Sequence, residues 1–419
     1  MSGLWGLAWR SAWSRRAGLS WVALSIALST FLMLSLDRLR QDVRLHFAQS
    51  VSGTDLIVGA RTSATSLLLY SVFRIGNATQ GMRWSSAQAL ASDPAVAWTI
   101  PLSLGDSYRG FPVVATTGAY FEHFRYGEQR ALQIGQGRAF GDVFEAVVGA
   151  EVAKQLGLRL NQKIALSHGM GAFEAADHGD KPFTIVGILE RTATPVDRSV
   201  HIGLDGMQAI HIDWLGGMPA RDPISASQAR QMDLTPSSVT AVLVGLKSRA
   251  AVFSMQRSVA QFRAEPLMAV LPGVVLDELW STLAIGEQLI EAMVLLVAAV
   301  SVLCLVAVIS TGLEQRRREL AVLRSLGAGP RRVLALLILE GTLVTTAAAA
   351  VGALASTLMV ATLGNTLTAQ FGIALRLGVP EGSQWLILAA TVAAGALASV
   401  LPAWRAYRMS ITDGLQPRG

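Results

Sequence analysis

The sequence contains a single cysteine, Cys304. No disulfide can therefore form within the chain, and cysteine usage does not indicate the redox compartment. It also lacks a Gly-x-x-x-x-Gly-Lys-Ser/Thr phosphate-binding loop, which excludes the chain itself as a P-loop ATPase. No Cys-His pattern with zinc spacing and no Gly-x-Ser-x-Gly nucleophile motif occurs. The sequence therefore predicts no catalytic residue and no cofactor in this chain.

Charged residues are also scarce. Only 15% of the 419 residues are charged and 52% are hydrophobic, whereas about a quarter of the residues of a soluble domain are charged. This composition predicts a membrane protein. The net charge of +6 does not indicate nucleic-acid binding, because residues 37–288 contain 22 basic and 23 acidic side chains and the positive excess lies in short segments elsewhere.

Four apolar runs are long enough, at about 20 residues, to cross a bilayer as helices. The predicted spans are residues 18–36, 292–312, 333–360 and 384–403. Three Arg-rich segments flank them and predict cytoplasmic locations by the positive-inside rule. These are residues 1–17, 313–332 and 404–419. Residues 361–383 carry one Arg and one Glu and fit the outer face, so both termini are expected in the cytoplasm.

The N-terminal segment predicts an amphipathic helix over residues 4–16. Trp5, Trp9 and Trp13 stand four apart on one face, which suits a helix lying in the membrane interface. The following apolar run has a rival interpretation as a secretory signal peptide. The run is long and its exit at Leu36-Asp37-Arg38 lacks a small-x-small cleavage pattern, so we predict an uncleaved first span.

Residues 37–288 predict one large polar domain that mixes helices and strands. The predicted strands are residues 55–59, 113–116, 146–149, 163–166, 183–189 and 239–245. The predicted helices are residues 86–91, 149–157 and 248–264, and a further helix from residue 277 leads into the second span. We therefore predict an α-helical membrane protein with four transmembrane helices and a large α+β extracytoplasmic domain inserted between helices 1 and 2.

The stretch between the second and third spans, residues 314–332, carries six arginines against two glutamates. Leu320, Leu323 and Leu326 recur at helical spacing, which predicts a short amphipathic helix ended by Gly327 and Pro330. Such a helix either docks into a groove of a soluble partner or only sets topology and contacts anionic lipid. Composition alone leaves both interpretations open.

Residues 317–328 read Arg-Arg-Glu-Leu-Ala-Val-Leu-Arg-Ser-Leu-Gly-Ala. This resembles the cytoplasmic coupling-helix signature of the FtsX-like permease family, which includes the MacB, LolC/LolE and FtsX-type subunits of ABC transporters. Residues 401–415 resemble the family's closing segment, although Ser410 or Ile411 stands where proline is usual and Gly414 where alanine is usual. Stretches at 55–60, 149–157 and 183–189 are similar to the MacB-like periplasmic core domain.

The resemblance implies two groups of cytoplasmic site residues. The ATPase-coupling residues would be Arg316, Arg317, Arg318, Glu319, Leu320, Leu323, Arg324, Leu326, Gly327 and Ala328. The C-terminal cytoplasmic motif would comprise Pro402, Arg405, Ala406 and Leu415.

The resemblance also implies the protein's partners and location. Two copies of a cytosolic ABC ATPase would bind ATP and Mg²⁺, and a second permease protomer would complete a homodimer. Membrane lipid is an expected contact, and a periplasmic protein or lipoprotein is compatible as a further partner. The expected location is the inner membrane, with the large domain in the periplasm.

Three further features of the sequence leave alternatives open. Glu340 lies inside the third span, where an acid is either functional or paired near the cytoplasmic interface. His168, Asp177 and His178 share a Gly-rich stretch that is either a weak metal site or an ordinary surface loop. Small residues recur four apart in the third and fourth spans and favour close packing, either within one chain or between two. They are Ala348, Gly352 and Ser356, then Thr391, Gly395 and Ser399.

The sequence therefore predicts a non-catalytic permease subunit. ATP hydrolysis in a separate subunit would move its outer domain, for export or extraction of an envelope substrate. The alternative is a membrane-anchored scaffold that activates an extracytoplasmic partner such as a cell-wall hydrolase. A secondary transporter is disfavoured, because only two acids, Glu291 and Glu340, lie in or at the membrane.

Overall fold

A computed structural model of the chain describes residues 16–50, 52–76, 78, 80–169, 178–215, 218–219, 224–315, 329–371, 378 and 381–408. The chain divides into two compact units. The helical unit comprises Met1–Asp42, Leu283–Thr366 and Leu375–Gly419. The α+β unit comprises Val43–Thr282 and Leu367–Ala374.

The described helices differ sharply in length, with four long ones and a set of short ones between them. In chain order they are α1 (Arg16–Gln49), α2 (Ala64–Leu68), α3 (Trp84–Ala91), α4 (Ala119–His123), α5 (Ala150–Leu156), α6 (Leu204–His211), α7 (Ala226–Ala229), α8 (Val252–Ala260), α9 (Pro272–Gln315), α10 (Pro330–Phe371) and α11 (Gly382–Arg408).

The strands all belong to the α+β unit. They are β1 (Leu56–Ala60), β2 (Met82–Arg83), β3 (Val96–Tyr108), β4 (Phe111–Thr116), β5 (Arg125–Tyr126), β6 (Arg130–Ala131), β7 (Ile134–Gly137), β8 (Glu145–Val148), β9 (Lys163–Ile164), β10 (Ser167–His168), β11 (Phe183–Leu189), β12 (Val200–Gly203), β13 (Trp214–Leu215), β14 (Met218–Pro219), β15 (Ser238–Val239), β16 (Ala241–Leu246) and β17 (Leu267–Val270).

One large mixed sheet organises the α+β unit. Its order is β17-β1-β16-β3-β4-β12-β8-β11-β7, with β10 paired to β3 and β9 paired to β11. Most pairs are antiparallel, but β12 runs parallel to β4 and β8 runs parallel to β11. The longest strand, β3, contacts β16 along its first half and β4 and β10 along its second half.

The sheet is buried on both faces. Alternate residues of a strand point to opposite faces, so Leu56 and Val58 belong to one apolar cluster and Ile57 belongs to another. Val113 and Val114 of β4 divide in the same way. The strands of a sheet that is covered on both sides consist of nearly continuous runs of apolar residues. This explains why short aliphatic runs in the sequence predicted several of the strands.

The helices and strands that the sequence predicted within residues 37–288 overlap the observed ones, with small shifts at their ends. Residues 183–189 coincide with β11, and residues 86–91 lie inside α3. The structure adds features that the aliphatic runs did not indicate, chiefly the long strand β3. It also continues α10 to Phe371, into the stretch that the sequence predicted as an outer loop. The predicted N-terminal amphipathic helix, residues 4–16, lies almost wholly outside the described residues.

Four helices of the described chain, α1, α9, α10 and α11, are long and apolar enough to cross a membrane. Large apolar side chains on them are exposed, for example Leu358 at 64% and Leu386 at 72%. Soluble proteins rarely expose so much contiguous apolar surface. Lipid contact accounts for it.

The small residues of α10 and α11 pack within the chain. Gly352 approaches the backbone of α1 at Ala27, and Ser35 of α1 donates to Ser356 at 3.1 Å. Gly395 of α11 faces Thr345 of α10. Of the two possibilities left open by the sequence, packing within one chain is therefore observed for these positions.

We expect Gly352→Ala to lower the melting temperature of the purified full-length protein in mild detergent. The new Cβ would lie 2.6 Å from the carbonyl oxygen of Ala27 and 2.9 Å from the Cβ of Thr30, and overpacking of this kind costs about 1–3 kcal/mol. Gly286→Ala is the matched control, since no atom lies within 4 Å of its new methyl group. Equal melting temperatures for the two variants would contradict this packing.

A second prediction concerns His201, which is fully buried in the α+β unit beside Tyr120, at a ring-centroid distance of 5.0 Å. Burial, reinforced by the charge of Arg74, lowers the pKa of His201 to about 3. The unfolded chain therefore takes up a proton at this residue near its ordinary pKa of about 6.5, while the folded chain does not.

The free energy of unfolding should consequently fall as the pH decreases from about 6.5 towards 3. His201→Phe removes the titrating group and keeps an aromatic ring. We expect its unfolding free energy to depend less steeply on pH than that of the wild type over this window, measured by denaturant titration in detergent. Parallel curves for the two proteins would show that His201 does not titrate in this way.

Candidate functional site

The predicted ATPase-coupling residues, Arg316 to Ala328, lie outside the described residues. The structure does describe both flanks of this segment. α9 ends at Gln315 and α10 begins at Pro330, and the amide of Arg332 donates to the carbonyl of Gly329 at 2.9 Å. Proline suits the first turn of a helix because its missing N–H is not needed there. The segment therefore joins the ends of two long apolar helices.

The C-terminal motif is described in part. Pro402 is buried inside α11, and Arg405 is exposed in the last turns of the same helix. Ala406 belongs to α11 as well, whereas Leu415 lies outside the described residues. Since proline has no N–H, the carbonyl four residues before it loses its helical partner.

Glu340 is buried in the helical unit, with 1% of its surface exposed. The next residue, Gly341, is so close to Ser399 of α11 that a side chain at this position would clash. Glu340 therefore lies at a tight helix–helix contact. Its predicted functional role stays a prediction.

A polar network links α1 to the other three long helices. We call it the polar collar and define it as Asp37, Arg38, Arg40, Gln41, Glu287, Glu291, Thr357, Ser383 and Gln384. Arg38 is 8% exposed, and it donates to Gln384 at 3.1 Å and to Thr357 at 3.4 Å. Ser383 and Gln41 both donate to Asp37, at 2.9 and 3.0 Å.

Arg40 forms the outer part of the collar. Its guanidinium contacts Glu287 at 3.0 Å and Glu291 at 3.3 Å, and its side chain is 37% exposed. In the sequence, Asp37 and Arg38 mark only the exit from the first span, and no pattern indicates this network. The separation along the chain explains why, since Arg38 and Gln384 are 346 residues apart.

A second polar cluster lies in the α+β unit. Asp106, His168, His178 and His211 each offer a ligand atom, and these atoms all lie within 4.8 Å of one another. Two of these residues, His168 and His178, were weak metal candidates from the sequence. The third candidate, Asp177, lies outside the described residues, and the sequence did not single out Asp106 or His211.

Burial and charge shift the pKa values of two of these histidines in opposite directions. Burial lowers the pKa of His178. Burial also acts to lower the pKa of His211, but the hydrogen bond to Asp106 and the charge of that carboxylate outweigh it and raise the pKa overall. The Asp106 carboxylate thus polarises the centre of the cluster.

The four apolar helices and the α+β domain define a membrane protein with a large extramembrane domain. Residues 20–262 match the MacB-like periplasmic core domain, and residues 291–411 match the FtsX-like permease C-terminal domain. The chain therefore belongs to the FtsX-like permease family with a MacB-like periplasmic core domain. Members of this family are transmembrane subunits of ABC transporters and are generally non-catalytic.

Two solved structures are similar to part of the chain. The periplasmic region of MacB from Actinobacillus actinomycetemcomitans shares 11% identity, covers 55% of this chain and 94% of its own, and has a TM-score of 0.35. The extracellular domain of the noncanonic ABC-type transporter YknZ from Gram-positive bacteria shares 10% identity, covers 52% of this chain and 99% of its own, and has a TM-score of 0.30. Both scores are low, and neither structure supports a functional conclusion. No curated protein sequence matches the chain.

The polar collar generates a stability prediction. Arg38→Met should lower the melting temperature of the full-length protein in detergent, because the buried Gln384 and the half-buried Thr357 lose the donor they share, at a cost of about 1–3 kcal/mol. Glu291→Gln is the matched control. It removes the ion pair between Arg40 and Glu291, whose side chains are 37% and 55% exposed, and exposed pairs contribute about 0–1 kcal/mol. A Glu291→Gln protein that melts as early as Arg38→Met would contradict the distinction.

Proposed function

We propose that this chain is the membrane subunit of a MacB/FtsX-type ABC transporter that transmits movement from a cytosolic ATPase to its own outer domain. The observation that carries the proposal is the family match over both parts of the chain, residues 20–262 and 291–411. The α+β domain is inserted between the first two spans and projects into the periplasm. Both termini lie in the cytoplasm.

The coupling segment, residues 314–332, is the contact with the ATPase. Leu320, Leu323 and Leu326 insert into an apolar groove, and Arg316 to Arg318 meet acidic residues at its rim. Amphipathic helices dock into grooves through residues at this spacing. Two ATPase subunits bind ATP and Mg²⁺ and serve two copies of this chain in a homodimer.

Movement reaches the outer domain through the long helices. α1 and α9 each contain residues of both units, because they run across residue 42 and residue 283 respectively. A continuous helix transmits tilt without an intervening loop. The polar collar supports this role because it fastens α1 to α10 and α11 through the hydrogen bonds of buried Arg38, and to α9 through the ion pairs of Arg40.

The substrate class is an envelope component that the outer domain grips or shields, such as a lipoprotein, a lipid or a peptide. Four spans per protomer make a poor pore, so the proposed action is export or extraction from the outer face. The alternative of a scaffold that activates a cell-wall hydrolase is not favoured by the family matches.

The docking model predicts that Leu323→Asp abolishes co-purification of the ATPase from native membranes while leaving membrane insertion intact. A charge placed on the apolar stripe would have to be buried in the groove without a partner. The measurement is a mild-detergent pull-down of the tagged chain with quantitative mass spectrometry. The wild type should recover an ABC ATPase in near-equal amount.

Ser325→Asp is the matched control for this experiment. In the helix predicted from the sequence, Ser325 would lie about 200° from Leu323, so the same charge would point away from the groove and recovery should persist. Equal ATPase recovery with Leu323→Asp and the wild type would refute docking through this stripe. Recovery of a hydrolase and no ATPase by the wild type would favour the scaffold.

A further inference from the structure

The sheet register places Asp106 directly beside His168. β10 pairs with the second half of β3, so that His168 faces Asp106 across the ladder. β3 is irregular at this point, with a register shift between Leu104 and Ser107 against β4. Bulges of this kind redirect a side chain. The Asp106 carboxylate, with none of its side chain exposed, lies 3.0 Å from His168 Nδ1.

His211 approaches the same carboxylate from the last turn of α6. Its Nε2 lies 3.5 Å from Asp106 Oδ1 and 3.2 Å from His168 Nδ1. Its other ring nitrogen, Nδ1, lies 2.9 Å from the carbonyl oxygen of Met207. Donation to that carbonyl leaves the Nε2 lone pair directed into the cluster, which is the usual outer-shell arrangement of a metal-ligating histidine.

His178 completes the cluster from the start of the segment that leads to Lys181. It is 1% exposed, and neither of its ring nitrogens has a hydrogen-bond partner among the described residues. The same holds for Oδ2 of Asp106. A buried polar atom without a partner is destabilising, because it has given up its hydrogen bonds to water and gained none in return. Two such groups in one cluster of four potential metal ligands indicate a ligand that the cluster would bind.

The spacing of the ligand atoms fits a small tetrahedral ion. Metal–ligand bonds of about 2.0–2.2 Å place neighbouring ligand atoms about 3.3–3.5 Å apart. The three distances among Asp106, His168 and His211 are 3.0, 3.2 and 3.5 Å. His178 offers the fourth atom within the 4.8 Å limit of the cluster.

We propose that Asp106, His168, His178 and His211 bind one divalent transition-metal ion, with Zn²⁺ as the fitting species. Three imidazoles and one carboxylate suit Zn²⁺ and related ions, whereas Mg²⁺ and Ca²⁺ prefer oxygen ligands. The site belongs to the α+β unit alone and does not depend on the transporter function proposed above.

Nearby charges hold the site together and favour a cation. The ammonium group of Lys181 is fully buried and contacts both carboxylate oxygens of Asp213 at 2.8 Å. This pair fastens the segment after His178 to the segment after His211. Asp180 also contacts Lys181 at 3.0 Å. With neutral histidines, the three carboxylates exceed the single lysine by two negative charges, which matches a divalent ion.

The site has an aromatic wall and an opening. Trp214 lies against His178, His168 and His211, at ring-centroid distances of 4.6, 5.3 and 5.9 Å. On another side, Asp106 and His168 line a cavity of about 280 Å³, and the His168 side chain is 41% exposed. An ion can therefore enter from solvent while the Trp214 ring restrains the three imidazoles.

The test uses the full-length protein in mild detergent, purified with a tag that contains no histidine. The chain is stripped with chelator, loaded with Zn²⁺, dialysed and analysed for metal content. We expect about one Zn²⁺ per chain, and at least a tenfold loss of affinity in His168→Ala and His178→Ala. His123→Ala, in the same unit but outside the cluster, should bind as the wild type does.

Cobalt provides a geometric readout and separates ligand loss from misfolding. Co²⁺ in a four-coordinate site absorbs visible light strongly, so the wild type and His123→Ala should show this absorption and His178→Ala should not. Melting temperatures in chelator establish that each variant folds, and Zn²⁺ should raise the melting temperature of the wild type but not of His178→Ala.

Two results would overturn the proposal. One is a wild-type chain that retains no metal after dialysis, which would make the cluster a hydrogen-bonded network of histidines around Asp106. The other is equal metal content in His168→Ala, His178→Ala and His123→Ala, which would show surface binding elsewhere. If the alanine variants fail to fold, Asp106→Asn serves in their place, because it keeps the side-chain volume and removes the charge.

Discussion

A polar group that leaves water loses its hydrogen bonds unless it finds a partner inside the protein, and much of the architecture of this chain follows from that constraint. In lipid, the N–H and C=O groups of the backbone can all form hydrogen bonds only in a helix or a closed barrel. The apolar segments accordingly form the helices α1, α9, α10 and α11. Side chains follow the same rule. Arg38 is buried among α1, α10 and α11 and uses its guanidinium to bond Gln384 and Thr357.

The two units meet this constraint by different means. The helical unit brings backbones together at residues without bulk, as where Gly352 meets Ala27, because lipid provides little hydrophobic driving force between helices. The α+β unit buries apolar strands on both faces of its sheet, so Ile57 and Val58 enter separate cores. Close contact between helices stabilises the helical unit, and exclusion of water from the two apolar cores stabilises the α+β unit.

Local patterns in the sequence predicted many of the helices and strands, although not the long strand β3, and they did not predict the polar sites. Apolar length predicted the long helices, and the run at 183–189 predicted β11. The polar collar joins residues 346 positions apart, and Asp106 lies 62 positions from His168. No periodic pattern of residues in the sequence indicates contacts between positions so far apart. His168 and His178 shared one loop and could be noticed, whereas Asp106 required the register of β10 on β3.

The Asp106 cluster shows why an exception to the constraint is informative. Nearly all buried polar atoms of a folded protein are paired, and the collar of the helical unit obeys that rule at Arg38 and Asp37. The α+β unit departs from it at His178 and at one oxygen of Asp106, and also at residues outside the cluster such as His201. What distinguishes His178 and Asp106 is that they belong to a group of four residues whose ligand atoms all lie within 4.8 Å of one another. Burying Lys181 beside them with Asp213 fixes the geometry at an electrostatic cost. A costly buried ion pair that holds neighbouring side chains in place is expected at a binding site and not in a domain core.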